Sequence, residues 1–299
     1  MKRYVGYLYL APAIILLGVF VFYPLIYTIY LSFFDWNMVA PTKEFVGFAN
    51  YVKVLTDPVF HKVLKNTLSY TVLFVLLSCV FPYITSFLLG IVIEKGQNLY
   101  KPLFFIPAVI SLVVAGMVFT WILNPVSGPI AVLLGNFGLR LPMWMNLQGW
   151  VIAVIAGITA WKVFGYNFIV IFAAIVGIDQ EMIEAAKLDR VPIWRIFFTI
   201  VLPMSSSTGL YLLVMTIVQG LQYVFTPIKI ITRGGPNNGS ANVIYYAYQK
   251  AFEMYKVGES SAISVLTLLI FAVFLGVIFK FVEKGVYYEK LIFFFFFCF

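Results

Sequence analysis

Charge is scarce in this chain. Asp, Glu, Lys and Arg make up 11% of its 299 residues, while 63% are hydrophobic; an ordinary soluble domain carries roughly a quarter charged residues. Histidine and cysteine are scarcer still: one His61, one Cys79 inside an apolar block and one Cys298 beside the C-terminus. That inventory excludes a zinc cluster and a disulfide framework. No Gly-Lys dipeptide occurs anywhere, so no phosphate-cradling G-x-x-x-x-G-K-[ST] loop exists. HExxH, paired intramembrane aspartates and a Ser with a His in a neighbouring span are equally missing, which excludes the usual membrane-embedded hydrolases. The net charge of +8 comes from basic residues scattered singly between apolar blocks, with no stripe that could follow phosphates, so no nucleic-acid partner is expected. No cofactor or metal is expected on this chain.

What is present is length in apolar runs. A hydrocarbon core about 30 Å thick needs roughly 20 apolar residues per helix, because backbone polar groups must bond internally where water is absent. Six blocks qualify, at 7–34, 66–93, 103–123, 150–176, 205–227 and 260–282, giving an all-α polytopic membrane protein with membrane lipid as its solvent. The first block follows Lys2 and Arg3 as a signal peptide would, but at about 25 residues it exceeds a signal h-region and reads as a retained span. Residues 1–290 form one transmembrane domain; the Phe-rich tail 291–299 has no period and is set apart. Six spans place both termini, residues 94–101 and residues 178–203 on one side. The denser Lys and Arg of these shorter segments put the termini in the cytoplasm. Pro12, Pro24, Pro82 and Pro107 fall inside apolar blocks, where each removes a helix bond and kinks the axis.

Residues 177–203, GIDQEMIEAAKLDRVPIWRIFFTIVLP, are too polar to span. Good helix formers run from 180 to 188, with acids in the first turn and Lys187 near the end, as the helix dipole favours. Asp189 and Arg190 break the pattern, and Pro192 suits the first position of a second helix. Small Ala185 and Ala186 beside Glu184 leave a low surface with a carboxylate available for pairing. It can serve as a docking knob for a partner, or as an amphipathic helix on the headgroups.

At these residues the sequence resembles the permeases of binding-protein-dependent importers, whose signature is Glu-Ala-Ala, two residues, Asp-Gly-Ala, then a hydrophobic stretch ending in Ile-x-Leu-Pro. Here Glu184, Ala185, Ala186, Asp189, Ile200, Leu202 and Pro203 match, while Arg190 replaces the glycine and Val191 the alanine. If that glycine serves a left-handed turn, arginine there is strained by about 1 kcal/mol. The opening LAPAIILLGVFVFYPLIYTIYLSFFDW, then FVGFANYVKVLTDPVF, NTLSYTVL, ITRGGPNNGS and YYAYQKAF, resembles the carbohydrate-uptake branch, which includes sugar and glycerol-3-phosphate permeases. The resemblance implies a type I ABC importer permease of the inner membrane with a cytoplasmic coupling helix. It also implies a second permease subunit, an ATPase dimer holding ATP and Mg, and an extracytoplasmic solute-binding protein. Glu184, Ala185, Ala186, Asp189, Arg190 and Pro203 are then the ATPase-docking residues. The turn 233–239 and residues 245–252 either meet the solute-binding protein or form a plain connector.

Polar residues inside spans mark a pathway or helix packing. Lys162 lies at least about 18 Å from either end of its block, beyond a lysine's reach; it either pairs with a backbone carbonyl or acid, or lines the pathway. Trp161, Tyr166 and Asn167 surround it, and Gln219, Gln222 and Tyr223 share a face of the fifth block. Trp121 and Asn124 can contribute from the third. Aromatic platforms with amides suit a sugar's apolar faces and hydroxyl edges; interhelical amide bonding is the competing reading for each. A self-sufficient secondary transporter or channel is the alternative function, but it calls for intramembrane acids or inverted repeats, and neither is found in the sequence.

Overall fold

The computed structural model describes residues 2–93 and 96–282; residues 291–299 and Cys298 lie outside them. Among the described residues, five helices are long and apolar enough to cross a membrane: Tyr9–Leu31, Pro58–Val92, Gln148–Val176, Ser206–Thr232 and Val257–Lys280. These are spans 1, 2, 4, 5 and 6. Between spans 2 and 4 lies a bent pair, Leu99–Val109 and Leu112–Ile122, turned by 98°.

Two units make up the chain, residues 65–242 with those from 273 onward, and residues 1–64 with 243–272. In the larger one, spans 2 and 4 run parallel. Gln148 donates to Asn66 Oδ1 at 3.0 Å near their first turns, Ser86 donates to the Phe168 carbonyl at 3.0 Å, and Gly90 faces Ile175 near their last. Parallel neighbours start on the same side, so the chain between them must cross back once. The bent pair is therefore span 3, and the block 103–123, expected as one helix kinked at Pro107, is instead broken at Ile110 and Ser111. Pro107 lies inside the first helix, which ends two residues later at Val109, and Ser111 caps the new helix by accepting from the Val113 amide at 3.3 Å. Apolarity is continuous across that break, which is why composition does not reveal it.

Three further prolines act differently. The π-helical turns Gly18–Phe22, Leu76–Val80 and Phe197–Val201 each end two residues before a proline: Pro24, Pro82 and Pro203. A proline ring clashes with the carbonyl four residues earlier, and a π turn relaxes that clash by widening the helix. For Pro82 that carbonyl belongs to Ser78, and it accepts the Asn167 side-chain amide from span 4.

Against span 4 the first half of span 3 packs backbone to backbone. A Cβ on Gly165 would lie 2.0 Å from the Phe104 carbonyl oxygen, so only glycine permits the approach. Phe104 then packs edge-to-face on Phe164 and Phe168 at 5.5 and 5.1 Å. The core beneath, Tyr83, Phe87 and Ile91 of span 2 with Ile171 and Ile175 of span 4 and Leu212 of span 5, reaches Ile183 and Ile196 of the intervening hairpin.

The smaller unit is held by polar anchors. Phe34–Asp35 pairs antiparallel with Glu44–Phe45, and buried Asn50 donates to the Ser32 and Phe34 carbonyls, both at 2.9 Å. Lys43 sits among three rings, 4.6 Å from Trp36, 4.9 Å from Tyr27 and 5.7 Å from Tyr30, and donates to the Tyr27 hydroxyl. Lys250 pairs with Glu259 at 2.7 Å and lies 3.8 Å from Asp57. Partial burial opposes the charge on Asp57, but the Tyr246 hydroxyl, the Val59 amide and Lys250 outweigh it and hold the carboxyl below its ordinary pKa. His61 belongs to the first turn of the helix Pro58–Val75, its Nδ1 3.1 Å from the Asp57 carbonyl.

Replacing Gly165 by Ala should lower stability in detergent by about 2–3 kcal/mol through overpacking, whereas Gly149→Ala on the same helix, where a Cβ meets nothing within 4 Å, should leave the melting temperature within about 1 °C of wild type. Equal melting for both variants would contradict the close backbone approach.

Candidate functional site

Asp179 opens the hairpin helix Gln180–Leu188 by accepting from the Glu181 amide at 3.0 Å, an N-cap that also places two acids at the positive end of the dipole. The helix turns Ile183 fully inward, 1% exposed, and half-buries Ala186 against the same core. Glu181, Met182, Glu184, Ala185, Leu188 and Asp189 face outward. Ala186 thus supports the helix from behind rather than contributing to its outer surface.

Its C-terminus is a Schellman motif: the Val191 amide donates to the Ala186 carbonyl and the Arg190 amide to the Lys187 carbonyl, both at 3.0 Å. Such a motif requires a left-handed residue between, and Arg190 has φ 54°. Arginine stands where a glycine would be unstrained. Val191, the other departure from the signature, packs with Ala186 on the core, the apolar contact that accompanies this motif. Pro192 lies one residue before the next helix, Ile193–Ile196, rather than at its first position.

Two polar links mount this hairpin on span 2. Lys187 Nζ donates to the Ile91 carbonyl in the last turn of that span at 3.2 Å, and Tyr83 hydrogen-bonds Ser205 Oγ just beyond Pro203. The hairpin is fixed by a core and two side-chain bonds, and its outer face is acidic with apolar Met182 and 83%-exposed Leu188.

The residues expected to mark a pathway divide. Lys162 donates from span 4 to the Ala108 carbonyl at 2.8 Å, in the last turn of the helix Gln97–Val109, so it compensates the negative end of the broken helix. Asn167 is 1% exposed and its Nδ2 joins the Ser78 carbonyl of span 2 and Thr216 of span 5, while its Oδ1 has no partner among the described residues. Asn124 accepts from the Val126 and Ser127 amides and shapes a turn. Trp121 is exposed and Trp161 stacks edgewise on Phe119 at 5.0 Å. Gln219 points a side-chain oxygen into the interior with no partner among the described residues, while Gln222 is exposed. Tyr166 interacts with Tyr211 and Tyr223, and all three rings are exposed, 45%, 48% and 37%. Tyr211 was not singled out in the sequence; its partner lies on another span, and no spacing along one helix reports that.

The turn 233–242 is a cross-tie rather than a loose loop. Asn66 donates to the Asn238 and Ala241 carbonyls at 2.9 and 3.1 Å, Tyr70 to the Ser240 carbonyl at 2.9 Å, and Asn242 to the Leu221 carbonyl at 2.9 Å. Ser240, Ala241 and Asn242 are fully buried, and Ser240 bonds Thr232.

The sequence model of the family described as "Binding-protein-dependent transport system inner membrane component" matches residues 83–286, about two thirds of the chain. The sn-glycerol-3-phosphate transport system permease protein UgpA of Brucella abortus biovar 1 (strain 9-941) is 34% identical over 289 residues, 96% of this chain and 98% of its own. The probable ABC transporter permease protein YurN of Bacillus subtilis (strain 168) is 32% identical, covering 90% of this chain and 92% of its own. In fold, the chain matches one from a crystal structure of a bacterial alginate ABC transporter in complex with an alginate pentasaccharide-bound periplasmic protein. The TM-score is 0.80 at 23% identity, with 96% of this chain and 97% of that one covered.

Arg190→Gly should stabilise the chain by about 1 kcal/mol by relieving the left-handed strain, and Arg190→Val should destabilise it; denaturant midpoints with unchanged m-values would show this, and a destabilising Arg190→Gly would contradict the strained turn.

Proposed function

Because the chain belongs to the family of binding-protein-dependent transport system inner membrane components, we propose that it forms half of a translocation pathway whose energy enters through the helix Gln180–Leu188. As a member of that family it is a multi-pass transport permease, and moving a solute rather than covalent chemistry is its task. The observation that carries the coupling role is the mounting of that helix. An isolated amphipathic helix on headgroups needs no Schellman cap, no inward Ile183 and no ties to span 2, whereas a lever that transmits force needs all of them.

Glu184, Ala185, Asp189 and Arg190 present the contact surface to a groove on a separate ATPase, which holds ATP and Mg. Ala186 and Pro203 set the surface's height and the hairpin's exit. The docking side is then the cytoplasmic side, with the termini. A second permease completes the pathway, ATPase closure rocks the spans, and differential binding of the partners to the two states drives alternating access. An external solute-binding protein delivers the cargo.

For the cargo, the exposed cluster of Tyr166, Tyr211 and Tyr223 with Gln222 offers aromatic faces edged by hydroxyls and an amide, the chemistry that suits a sugar or polyol. Its relatives' names, a glycerol-3-phosphate permease among them, point the same way. Lys162 and Asn167 hold the helix framework, and Trp161 packs on Phe119.

Co-purification in mild detergent with the ATPase of the same transport system tests the docking surface. Wild type should retain the ATPase; Glu184→Lys, on an exposed side chain, should weaken it about tenfold or more (about 1.4 kcal/mol) with unchanged melting, and deletion of residues 180–188 should abolish it. An ATPase that stays bound after the deletion would sink the assignment.

A further inference from the structure

We propose that residues 123–147, the connection from span 3 to span 4, are a membrane-interface anchor. Its helix Pro129–Asn136 lies in the boundary between headgroups and acyl chains, on the leaflet opposite the Gln180–Leu188 helix.

The ends of the segment fix its depth. Span 4 has 29 residues, about 43 Å at 1.5 Å per residue, against a hydrocarbon core of about 30 Å. Its first turn at Gln148 to Trp150 therefore stands at headgroup level. Trp144 donates from its indole to the Leu123 carbonyl at 2.7 Å and is 2% exposed, so the segment leaves and re-enters the spans at one point. It has no length to rise far from the bilayer.

Composition then separates lipid from water. Among these 25 residues Arg140 is the one charge. The connection 32–57 carries Asp35, Lys43, Glu44, Lys53 and Asp57, and 233–256 carries Arg233, Lys250, Glu253 and Lys256. Yet the segment exposes Val126 at 77%, Val132 at 58%, Leu133 at 60%, Phe137 at 80%, Leu139 at 58% and Met143 at 55%. Water would not tolerate so continuous an apolar surface. A protein interface would ring an apolar centre with polar residues, and from 128 to 139 Asn136 is the one polar side chain. Lipid is the occupant that fits: exposed Trp121 and Trp150 flank the segment as interface aromatics do, and Arg140 can reach phosphates from an apolar stem.

The test uses the full chain with Cys79→Ser and Cys298→Ser, carrying Val132→Cys or Phe137→Cys labelled with bimane, with Lys53→Cys on the charged connection as reference. Each is placed in phosphatidylglycerol nanodiscs with brominated acyl chains, alone and within the assembled importer. Bromine should quench positions 132 and 137 about threefold more than position 53, in both preparations, while aqueous iodide should show the reverse order. Iodide quenching at 132 and 137 equal to that at 53 would overturn the proposal in favour of a water-exposed loop. Loss of bromine quenching at both sites on assembly would overturn it in favour of a covering protein.

Discussion

Inside a bilayer a backbone carbonyl that loses its helical donor must find another, because no water is there to take its place. This chain loses several: at Pro82 the Ser78 carbonyl is pushed out of the helix ladder, and at the 98° break the helix Gln97–Val109 ends within the membrane. Side chains from neighbouring spans make good the loss. Asn167 reaches Ser78 and Lys162 reaches Ala108. Each repair is also a tie between helices, so the irregularities that would weaken an isolated helix are what lock spans 2, 3, 4 and 5 together.

The same device extends to both ends of the bundle. On one side Asn66, Tyr70 and Asn242 gather the carbonyls of the turn 233–242 and of Leu221. On the other, Lys187 takes the Ile91 carbonyl and Tyr83 takes Ser205. The helix Gln180–Leu188 emerges between spans 4 and 5 but is tied to span 2, so a push on its outer face moves three spans rather than flexing one loop. That is the mechanical property a permease needs if its work is done by a separate motor.

How much of this is legible in the sequence depends on whether the signal is local. Apolar runs give the spans, helix formers with acids first and Lys187 near the end give the helix 180–188, and the resemblance to the family signature gives the left-handed position of Arg190; the cap at Asp179 was not singled out. The break at Ile110 and Ser111 is hidden because apolarity runs across it and its compensation, Lys162, lies 54 positions away. Pro24 and Pro82 read as kinks; that they would be absorbed in π turns depends on which neighbouring amide could claim the freed carbonyl. The pathway set was the least legible. Asn167 and Gln222 look alike in composition, and only packing sends the first into a helix junction and leaves the second exposed.

ATP-driven uptake in proteoliposomes tests the central claim most directly. The chain would be reconstituted with its second permease and ATPase, and supplied with labelled glycerol-3-phosphate or a panel of labelled sugars on the solute-binding protein. The account predicts uptake of one of these that requires internal ATP and persists when ion gradients are collapsed. Uptake by this chain alone, driven by an ion gradient without the ATPase, would contradict it and make the protein a secondary transporter.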